Sequence, residues 1–217
     1  MTLALFDLDN TLIGGDSDQL WGDFLVDRGY VDARDYRQRN HQFYRDYLDG
    51  TLDIFAYLRF CLQPLAENEP ETLARWHAEF MRERIAPILL PKAAELIEHH
   101  RSEGHRLLVI TATNRFITEP IVRHLGIDEL LATEPQRRHG RFTGEVEGTP
   151  TFREGKVTRL QQWLHAEGEN LAGSWFYSDS HNDLPLLEKV ANPVAVDPDD
   201  ALAGHAEARG WPVISLR

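Results

Sequence analysis

The sequence has only one cysteine, Cys61, so the chain cannot form an internal disulfide bond. It also lacks any apolar run near the roughly 18–20 residues that a membrane-spanning helix needs. No basic segment followed by a long apolar stretch opens the chain, as a secretory signal would. These absences predict a cytoplasmic protein that does not enter the membrane.

Basic residues are also scarce, with 23 Lys and Arg against 35 Asp and Glu and a formal net charge of −12. Nucleic acids and anionic membrane surfaces bind basic patches, so both are disfavoured as partners. A small anionic ligand could bind only where a divalent cation and a few basic side chains reverse the local field. The hydrophobic fraction of 42% and the charged fraction of 27% are ordinary for a globular protein.

Short apolar segments without polar breaks predict the buried strands of a parallel sheet. These segments cover residues 2–6, 106–111, 175–178, 194–196 and 213–216. Segments with helical periodicity lie between them, at residues 91–104, 116–125, 157–165 and 184–190. The alternation of strands and helices predicts an α/β fold with a Rossmann-like parallel sheet.

Residues 14–86 interrupt this alternation. Apolar and aromatic residues recur there at helical spacing in four groups, around Trp21, Phe43, Phe55 and Trp76. We therefore predict an all-helical insert at 14–86 and an α/β core formed by 1–13 and 87–217. The aromatic residues of such an insert are more often core residues than ligand-binding groups. Residues 137–148 predict a β-hairpin that turns at His139-Gly140.

The first group of chemically active side chains is Asp7-Leu8-Asp9-Asn10-Thr11, directly after the first strand. In open α/β sheets, ligands bind beyond the carboxyl ends of the strands. Two aspartates one residue apart at such a position can divide the work of a nucleophile and a proton donor. A solvated turn explains an isolated motif of this composition about equally well, but the preceding strand favours the catalytic interpretation.

A second acidic group, Asp179-Ser180-His181-Asn182-Asp183, follows another predicted strand. Its carboxylates would crowd the first pair at the same edge of the sheet and repel it unless a hard cation lay among them. Mg²⁺ prefers oxygen ligands and keeps several waters, so it suits this group. Asp183 would also be favourable in the first turn of a helix, and the two roles are compatible.

Two weaker candidates accompany these acids. Thr111-Ala112-Thr113-Asn114 ends the second core strand, where a hydroxyl, small residues and a helix start can form a cradle for a phosphate. Thr is also a common helix N-cap, so this motif alone is weak. Lys156 opens a predicted helix after Gly155, although a single lysine is usually a surface residue.

The four groups occur in the order D-x-D-x-T, a strand that ends in Thr, a lysine, and D-x-x-x-D. In this order the whole chain resembles the haloacid dehalogenase superfamily of phosphohydrolases. The helical insert after the first motif resembles the cap (C1 type) of the subgroup, IB, that includes phosphoserine phosphatases and some bacterial histidinol-phosphatases. Further points of resemblance are Thr143-Gly144, Gly155-Lys156-Val157, Tyr177-Ser178-Asp179-Ser180 and Asp183-Leu184-Pro185.

The resemblance implies an Mg²⁺-dependent phosphatase that passes through an aspartyl-phosphate intermediate. Asp7 would be the nucleophile and a metal ligand. Asp9 would protonate the leaving alcohol, activate the hydrolytic water and bind Mg²⁺ through its backbone carbonyl. Asp179 would bind the metal directly, and Asp183 through water.

The same resemblance assigns the phosphate contacts. Thr111 and the amide of Ala112 would hold the transferring phosphoryl group, and Lys156 would bridge this group and the nucleophile. Thr11 and Asn182 would be further contacts to the phosphate.

The resemblance also bears on the substrate. Asp16 lies at the spacing where phosphoserine phosphatases carry an acid that faces the amino group of the substrate. A role as N-cap of the following helix explains Asp16 equally well. An amine beside the phosphate would suit histidinol phosphate, our first expectation, or phosphoserine, the alternative. Phosphoserine also requires a cation for its carboxylate, and Arg59 is the candidate.

Two alternatives belong to other functional classes. The chain could be a phosphate- or metal-binding module without turnover, or a receiver domain that holds a stable phospho-aspartate. The complete set of catalytic positions argues against the first alternative. The large helical insert and the placement of the acids argue against the second.

Overall fold

The computed structural model describes residues 1–48 and 51–217. The strands are β1 Leu3–Phe6, β2 Arg106–Asn114, β3 Glu129–Arg138, β4 Arg141–Glu147, β5 Trp175–Ser178, β6 Asn192–Val196 and β7 Val213–Ile214. They form one sheet in the order β4-β3-β2-β1-β5-β6-β7. Neighbouring strands run parallel except for β4, which is antiparallel to β3. This sheet confirms the predicted Rossmann-like α/β core.

Strand β1 lies at the middle of the sheet, between β2 and β5. Its last residue, Phe6, pairs with Val109 of β2 and with Tyr177 of β5. The backbone N–H of Asp7 continues this ladder by donating to the carbonyl oxygen of Tyr177 at 2.9 Å. The segments that follow these three strands therefore leave the sheet at one edge, where ligands of open α/β sheets bind.

Helices cover both faces of the sheet. The core helices are α5 Pro91–Ser102, α6 Arg115–His124, α7 Glu154–Glu167, α8 Leu184–Leu187 and α9 Asp200–Arg209. Successive strand residues point to opposite faces, so the fully buried β1 supplies both halves of the core. Phe6 packs in one cluster with Ile97 of α5, and Leu5 packs in the other with Leu160 of α7 and Leu202 of α9.

Outside residues 49–50, the insert is formed by four helices, as predicted. They are α1 Ser17–Asp27, α2 Ala33–Leu48, α3 Ile54–Glu67 and α4 Pro70–Phe80. Asp16 and Asp53 cap the N-termini of α1 and α3, because their side chains accept backbone N–H groups of the first turn. Pro70 begins α4, where a missing N–H costs nothing. A π-helical turn at Met81–Ile85 and a 3₁₀ turn at Ala86–Ile88 lead back to the core.

The chain enters and leaves the insert at adjacent points. Ile13 forms an antiparallel bridge with Leu89, and the backbone N–H of Gly14 donates to the carbonyl oxygen of Ile88 at 2.8 Å. This short ladder lies close to the predicted limits of the insert. We therefore propose residues 14–86 as its boundaries and call this segment the cap.

The cap is packed directly on the core through aromatic rings. Trp21 of α1 makes edge-to-face contacts with Phe80 of α4 and with Phe116 of α6. Each such pair contributes about 0.5–1.5 kcal/mol to stability beyond the contribution of the surface that it buries. The aromatic residues of the cap named here are thus core residues, as the composition of the segment suggests.

Some elements differ from the prediction. The hairpin expected at 137–148 begins earlier, because its first strand, β3, starts at Glu129 and pairs with β2 before it turns. Helix α9 has no counterpart among the predicted helices, since it buries little more than Leu202 and Ala206 and has no clear apolar stripe. Strand β2 extends to Asn114, whose side chain caps α6 by accepting the N–H of Ile117 at 3.3 Å.

Within the described residues, no helix combines the length and the apolar character that crossing a bilayer requires. The cytoplasmic location and the lack of nucleic-acid and membrane partners stay predictions.

Candidate active site

Lys156 is the buried centre of the site. Its Nζ donates to Oδ1 of Asp7 and to Oδ2 of Asp183, both at 2.7 Å. The exposed fractions are 3% for Lys156, 7% for Asp7 and 3% for Asp183, so this lysine is not a surface residue. The hydroxyl of Ser178 donates to the same oxygen of Asp183 at 2.7 Å. The predicted groups that contain Asp7, Lys156 and Asp183 therefore meet at the carboxyl ends of β1 and β5.

Burial disfavours the charged forms of Asp7 and Lys156, and the attraction between their opposite charges acts against this effect. Burial raises the pKa of Asp7 to about 7, although Lys156 pulls it downwards. Burial alone would lower the pKa of Lys156, but Asp183 and Asp7 together raise it above its ordinary value. Lys156 is therefore a permanent cation at neutral pH, and it holds the carboxylate of Asp7 in one position.

Local sequence explains why Lys156 reaches the interior. Helix α7 starts two residues before it, and the backbone of Gly155 passes very close to the preceding loop. A Cβ atom at position 155 would lie 2.0 Å from the carbonyl oxygen of Pro150, so only glycine fits without a backbone shift.

Asp9 is held from both sides. Its Oδ1 accepts the backbone N–H of Ser17 at 2.7 Å, and its Oδ2 accepts the hydroxyl of Thr113 at 2.8 Å. The hydroxyl of Thr111 lies 3.5 Å from the same Oδ2. Burial, together with the charge of Asp16, raises the pKa of Asp9 to about 6. A carboxyl group that titrates near neutrality can both donate and accept a proton.

Asp179 completes the acidic group. The hydroxyl of Thr11 donates to its Oδ1 at 3.2 Å and accepts its backbone N–H at 3.1 Å. This pair therefore connects the motif that begins at Asp7 with the motif that begins at Asp179. Burial and the neighbouring charge of Asp7 raise the pKa of Asp179 to about 8. Thr11 is thus bonded to an acid, and its role as a phosphate contact stays a prediction.

The predicted phosphate cradle lies where β2 leaves its neighbour. The register of β2 with β3 is interrupted between Ile110 and Asn114, so the residues between them leave the regular ladder. The hydroxyl of Thr111 accepts the backbone N–H of Thr113 at 3.2 Å. The carbonyl oxygen of Ala112 accepts the hydroxyl of a threonine on β3 at 2.8 Å. This irregular segment faces Asp9, as a phosphoryl cradle requires.

The donor set fits a magnesium ion. Asp7, Asp9 and Asp179 all have pKa values raised by burial and by neighbouring acids. Among the described residues, Lys156 is the cation that contacts this group, and two carboxylates already share it. In the part of the chain that the structure describes, no three His, Cys, Asp or Glu side chains form a ready-made metal cage. Mg²⁺ is usually held by one or two carboxylates, waters and the phosphate of the substrate, so an incomplete cage agrees with this ion.

The acid expected to face the substrate, Asp16, has a clear structural role. Its Oδ1 accepts the backbone N–H groups of Asp18 and Gln19, both at 2.9 Å, and its side chain is exposed. The N-cap interpretation is confirmed, and a contact with substrate stays a prediction.

A second acid near this position was not singled out by the sequence. Oδ2 of Asp18 accepts the hydroxyl of Tyr57 at 2.5 Å and lies 3.6 Å from the sulfur of Cys61. Both partners belong to α3 of the cap, whereas Ser17, the residue before Asp18, is bonded to Asp9. Burial raises the pKa of Asp18. Asp18 therefore connects α3 of the cap with the segment that contacts Asp9, and it has no basic partner within the described residues.

The remaining candidates lie on the periphery. Arg59 is about half exposed, and its NH1 lies 3.8 Å from Glu145 of β4, so no described contact joins it to the acids. Asn182 lies in the 3₁₀ turn before α8, and its Oδ1 accepts Nε of Arg153 at 3.0 Å.

Sequence patterns did not single out four of the residues that shape the site: Thr113, Ser178, Asp18 and Arg153. Thr113 and Ser178 lie within the recognised motifs, so their position at strand ends was a usable signal. Asp18 and Arg153 acquire their partners only through the packing of separate elements.

A family model described as haloacid dehalogenase-like hydrolase matches residues 4–188. The chain is 48% identical to a histidinol-phosphatase of Neisseria meningitidis, over 99% of both chains. It is 32% identical to a phosphoserine phosphatase of Mycobacterium tuberculosis, covering 99% of this chain and 70% of the relative.

Solved structures resemble the same fold. A protein of unknown function from Bordetella pertussis superimposes with a TM-score of 0.95 at 47% identity, and both chains are covered completely. A phosphoserine phosphatase with an analogue of the phospho-aspartyl intermediate superimposes with a TM-score of 0.69 at 20% identity, over 100% of this chain and 93% of the other. At that identity the second likeness concerns the fold alone.

Proposed function

The chain belongs to the haloacid dehalogenase-like hydrolase family and is a phosphatase, and we propose that it hydrolyses histidinol phosphate through an aspartyl-phosphate on Asp7. The observation that carries the substrate is the 48% identity with a histidinol-phosphatase over 99% of both chains. The observation that supports the mechanism is the buried contact of Lys156 with Asp7 and Asp183. The proposed function is that of an enzyme with turnover, so it differs from the two alternatives, a receiver domain and a binding module without turnover.

In the first step, a carboxylate oxygen of Asp7 attacks phosphorus, and the bond from phosphorus to the substrate's ester oxygen breaks. Asp9 gives its proton to the leaving alkoxide, so the alcohol departs neutral. The hydrogen bonds from Ser17 and Thr113 keep the carboxyl group of Asp9 in place for this transfer. A neutral leaving group lowers the barrier more for an alkyl phosphate than for an aryl phosphate.

In the second step, water attacks the phosphorus of the aspartyl-phosphate while Asp9 takes its proton. The bond from phosphorus to the oxygen of Asp7 breaks, which restores the carboxylate and releases inorganic phosphate. Thr111 and the amide of Ala112 bind the phosphoryl oxygens in both steps, since charge stabilisation and alignment dominate phosphoryl transfer.

Positive charge must offset the repulsion between Asp7 and an anionic ester. Lys156 supplies one fixed charge beside the nucleophile. The residues that would hold Mg²⁺ are Asp7, Asp179, the carbonyl of Asp9 and, through water, Asp183, and the ion would supply the rest of the positive charge by neutralising the phosphate and the acids. This requirement explains how a chain with a net charge of −12 can bind a phosphate ester.

The substrate's amine needs a negative partner near the leaving group. Asp18 is half-buried without a basic partner within the described residues, and it is held by Tyr57 of the cap. One carboxylate oxygen of Asp16 already accepts the backbone N–H groups that it caps in α1. We therefore assign the amine contact to Asp18 before Asp16. Histidinol phosphate needs no cation for a carboxylate, whereas phosphoserine does, and Arg59 is already beside Glu145.

A phosphate-release assay tests this proposal. The purified chain is supplied with Mg²⁺ and with histidinol phosphate, phosphoserine, sugar phosphates, nucleotides or an aryl phosphate. We expect the highest kcat/KM for histidinol phosphate, loss of activity after exhaustive chelation, and inhibition by Ca²⁺, whose larger coordination number would engage both oxygens of Asp7. A higher kcat/KM for phosphoserine would replace the substrate assignment, and full activity after chelation would reject the metal.

A further inference from the structure

Arg153 has a backbone conformation that strongly favours glycine. Its φ is 50° and its ψ is −121°, close to the values of the second residue of a type II′ turn. The N–H of Gly155 donates to the carbonyl oxygen of Phe152 at 2.8 Å, which closes that turn. A residue with a Cβ atom is strained there, and such strain persists where the surroundings or the function require the side chain.

The strained residue lies just ahead of Lys156, the buried lysine of the site. Lys156 follows it by three residues, and the N–H of Lys156 donates to the carbonyl oxygen of Arg153 at 3.0 Å. The turn therefore also sets the first turn of α7, from which Lys156 reaches Asp7. A glycine would serve the turn better, so the turn geometry does not explain an arginine.

The side chain of Arg153 is pinned at the edge of the site. Its Nε donates to Oδ1 of Asn182 at 3.0 Å, and its guanidinium carbon lies 5.0 Å from the centre of the Phe152 ring. Asn182 precedes Asp183, which is bonded to Lys156. Within the described residues, the contacts of the Arg153 guanidinium are the bond from Nε to Asn182 and the Phe152 ring, so its two terminal nitrogens have neither a hydrogen-bond acceptor nor a carboxylate partner. The guanidinium thus keeps its forked donors for a ligand.

The charges of the site favour an anion as that ligand. Lys156 already contacts two carboxylates, and a phosphate must also approach Asp9 and Asp179. A planar guanidinium can donate two parallel hydrogen bonds to two phosphate oxygens. We propose that Arg153 binds the phosphoryl oxygens of the substrate and of the inorganic phosphate product. This proposal rests on the proposed phosphatase function.

The test uses four variants of the full chain. R153Q can still donate to Asn182 but has no charge, R153K keeps a charge without the fork, and R153G removes the side chain and the strain. H139G is the matched control: His139 has a φ of 51° in the exposed β3–β4 turn, and no described contact joins it to the acids of the site. Binding of inorganic phosphate in the presence of Mg²⁺ is measured by calorimetry, and KM and kcat are measured with the ester that gives the highest kcat/KM in the phosphate-release assay.

We expect R153Q and R153G to weaken phosphate binding and to raise KM at least about fivefold, as loss of a charge-assisted fork implies. R153K should lie between them and the unaltered chain. The melting temperature of R153G should not fall, because glycine relieves the turn, and H139G should leave binding and kinetics unchanged.

Two results would overturn the proposal. R153Q could bind phosphate within twofold of the unaltered chain, which would mean that Arg153 only positions Asn182. R153G could lose several degrees of melting temperature while it keeps its phosphate affinity, which would mean that the arginine serves packing. If the unaltered chain released no phosphate from any ester, the proposed function would fail, and calorimetry would still decide the role of Arg153.

Discussion

The proposed mechanism requires Asp9 to act as an acid in one half of the reaction and as a base in the other. Its carboxylate is fixed by the N–H of Ser17 and the hydroxyl of Thr113, and burial raises its pKa to about 6. Both features poise the group for proton transfer at neutral pH. The hydrogen bonds also restrict its rotation, so a substitution at this residue changes chemistry more than structure.

We predict that D9N slows the hydrolysis of histidinol phosphate by about 10²–10⁴-fold, the usual contribution of a general acid or base. With an aryl phosphate the leaving group needs less help, so formation of the phospho-enzyme should be less impaired than its breakdown. Rapid-quench labelling should then show accumulated phospho-enzyme. Equal losses in both steps with the aryl ester would remove Asp9 from this role.

Asp16 and Asp18 lie at the start of α1, and the sequence alone did not show which of them caps the helix and which is available to the substrate's amine. Asp16 satisfies the backbone of the first helical turn. Asp18 is bonded to Tyr57 of α3 and lies one residue beyond the contact of Ser17 with Asp9. Only the packing of α3 against α1 shows that Asp18 has a place in the site.

We predict that D18N raises KM for histidinol phosphate about tenfold or more but changes the hydrolysis of an aryl phosphate little, because only the first substrate carries an amine. D16A should mainly lower stability, by about 1 kcal/mol, as for a lost N-cap. Kinetics with both substrates and thermal melts of both variants provide the comparison. A selective KM effect in D16A, with D18N unaffected, would return the amine contact to Asp16.

At the scale of elements, the start of α7 depends on one close approach. The hydrogen at the α-carbon of Gly155 faces the carbonyl oxygen of Pro150, where a Cβ atom would lie 2.0 Å away. An alanine there must displace the loop or the helix, and Lys156 would move with the helix. Gly204 in α9 offers the opposite case, since a Cβ atom there would meet nothing within 4 Å.

We predict that G155A lowers kcat/KM at least about tenfold, through misplacement of Lys156, and destabilises the chain by about 1–3 kcal/mol, the cost typical of overpacking. G204A should leave activity unchanged and add about 0.5–1 kcal/mol, because alanine favours the helix interior. Urea unfolding and steady-state kinetics check both. An active, stable G155A would show that the loop gives way without moving Lys156.

The same elements show how far the sequence predicts the structure. Strand β1 and the acids after it are local features, so Asp7 and Asp179 could be placed at one sheet edge from apolar runs alone. The burial of Lys156 depends on α7 reaching two other strand ends, and the sequence predicts it only through family resemblance. The conformation of Arg153 contradicts the preference of its residue type, so no local rule indicates it.

At the scale of the whole molecule, a buried histidine couples stability to pH. His100 of α5 is 1% exposed, and its ring nitrogens contact His105 at 2.7 Å and the hydroxyl of Tyr177 at 2.8 Å. Burial, with the charges of His105 and His99, lowers the pKa of His100 to about 4. The unfolded chain binds this proton near pH 6.5, so stability is present above that pH and is lost as pH falls towards 4.

We predict that the unaltered chain loses on the order of 2 kcal/mol through His100 between pH 6.5 and pH 4. H100Q should be less stable at pH 7, since it disturbs the contact with Tyr177, but its stability should depend less on pH across this window. Because carboxylates with raised pKa values act in the opposite direction, the quantity to measure is the difference between the two unfolding curves. Parallel curves would show that His100 does not titrate in this range.

The central claim is that Asp7 carries the phosphoryl group during turnover. The most direct measurement mixes the chain with histidinol phosphate labelled at phosphorus, quenches it with acid within milliseconds, and locates the label by peptide mass spectrometry. We predict a covalent phosphate on Asp7 that forms and decays at rates compatible with kcat. D7N, folded as judged by circular dichroism, should show no label and a loss of activity beyond about 10³-fold. Turnover by folded D7N at a near-normal rate, or a label on another residue, would contradict the account.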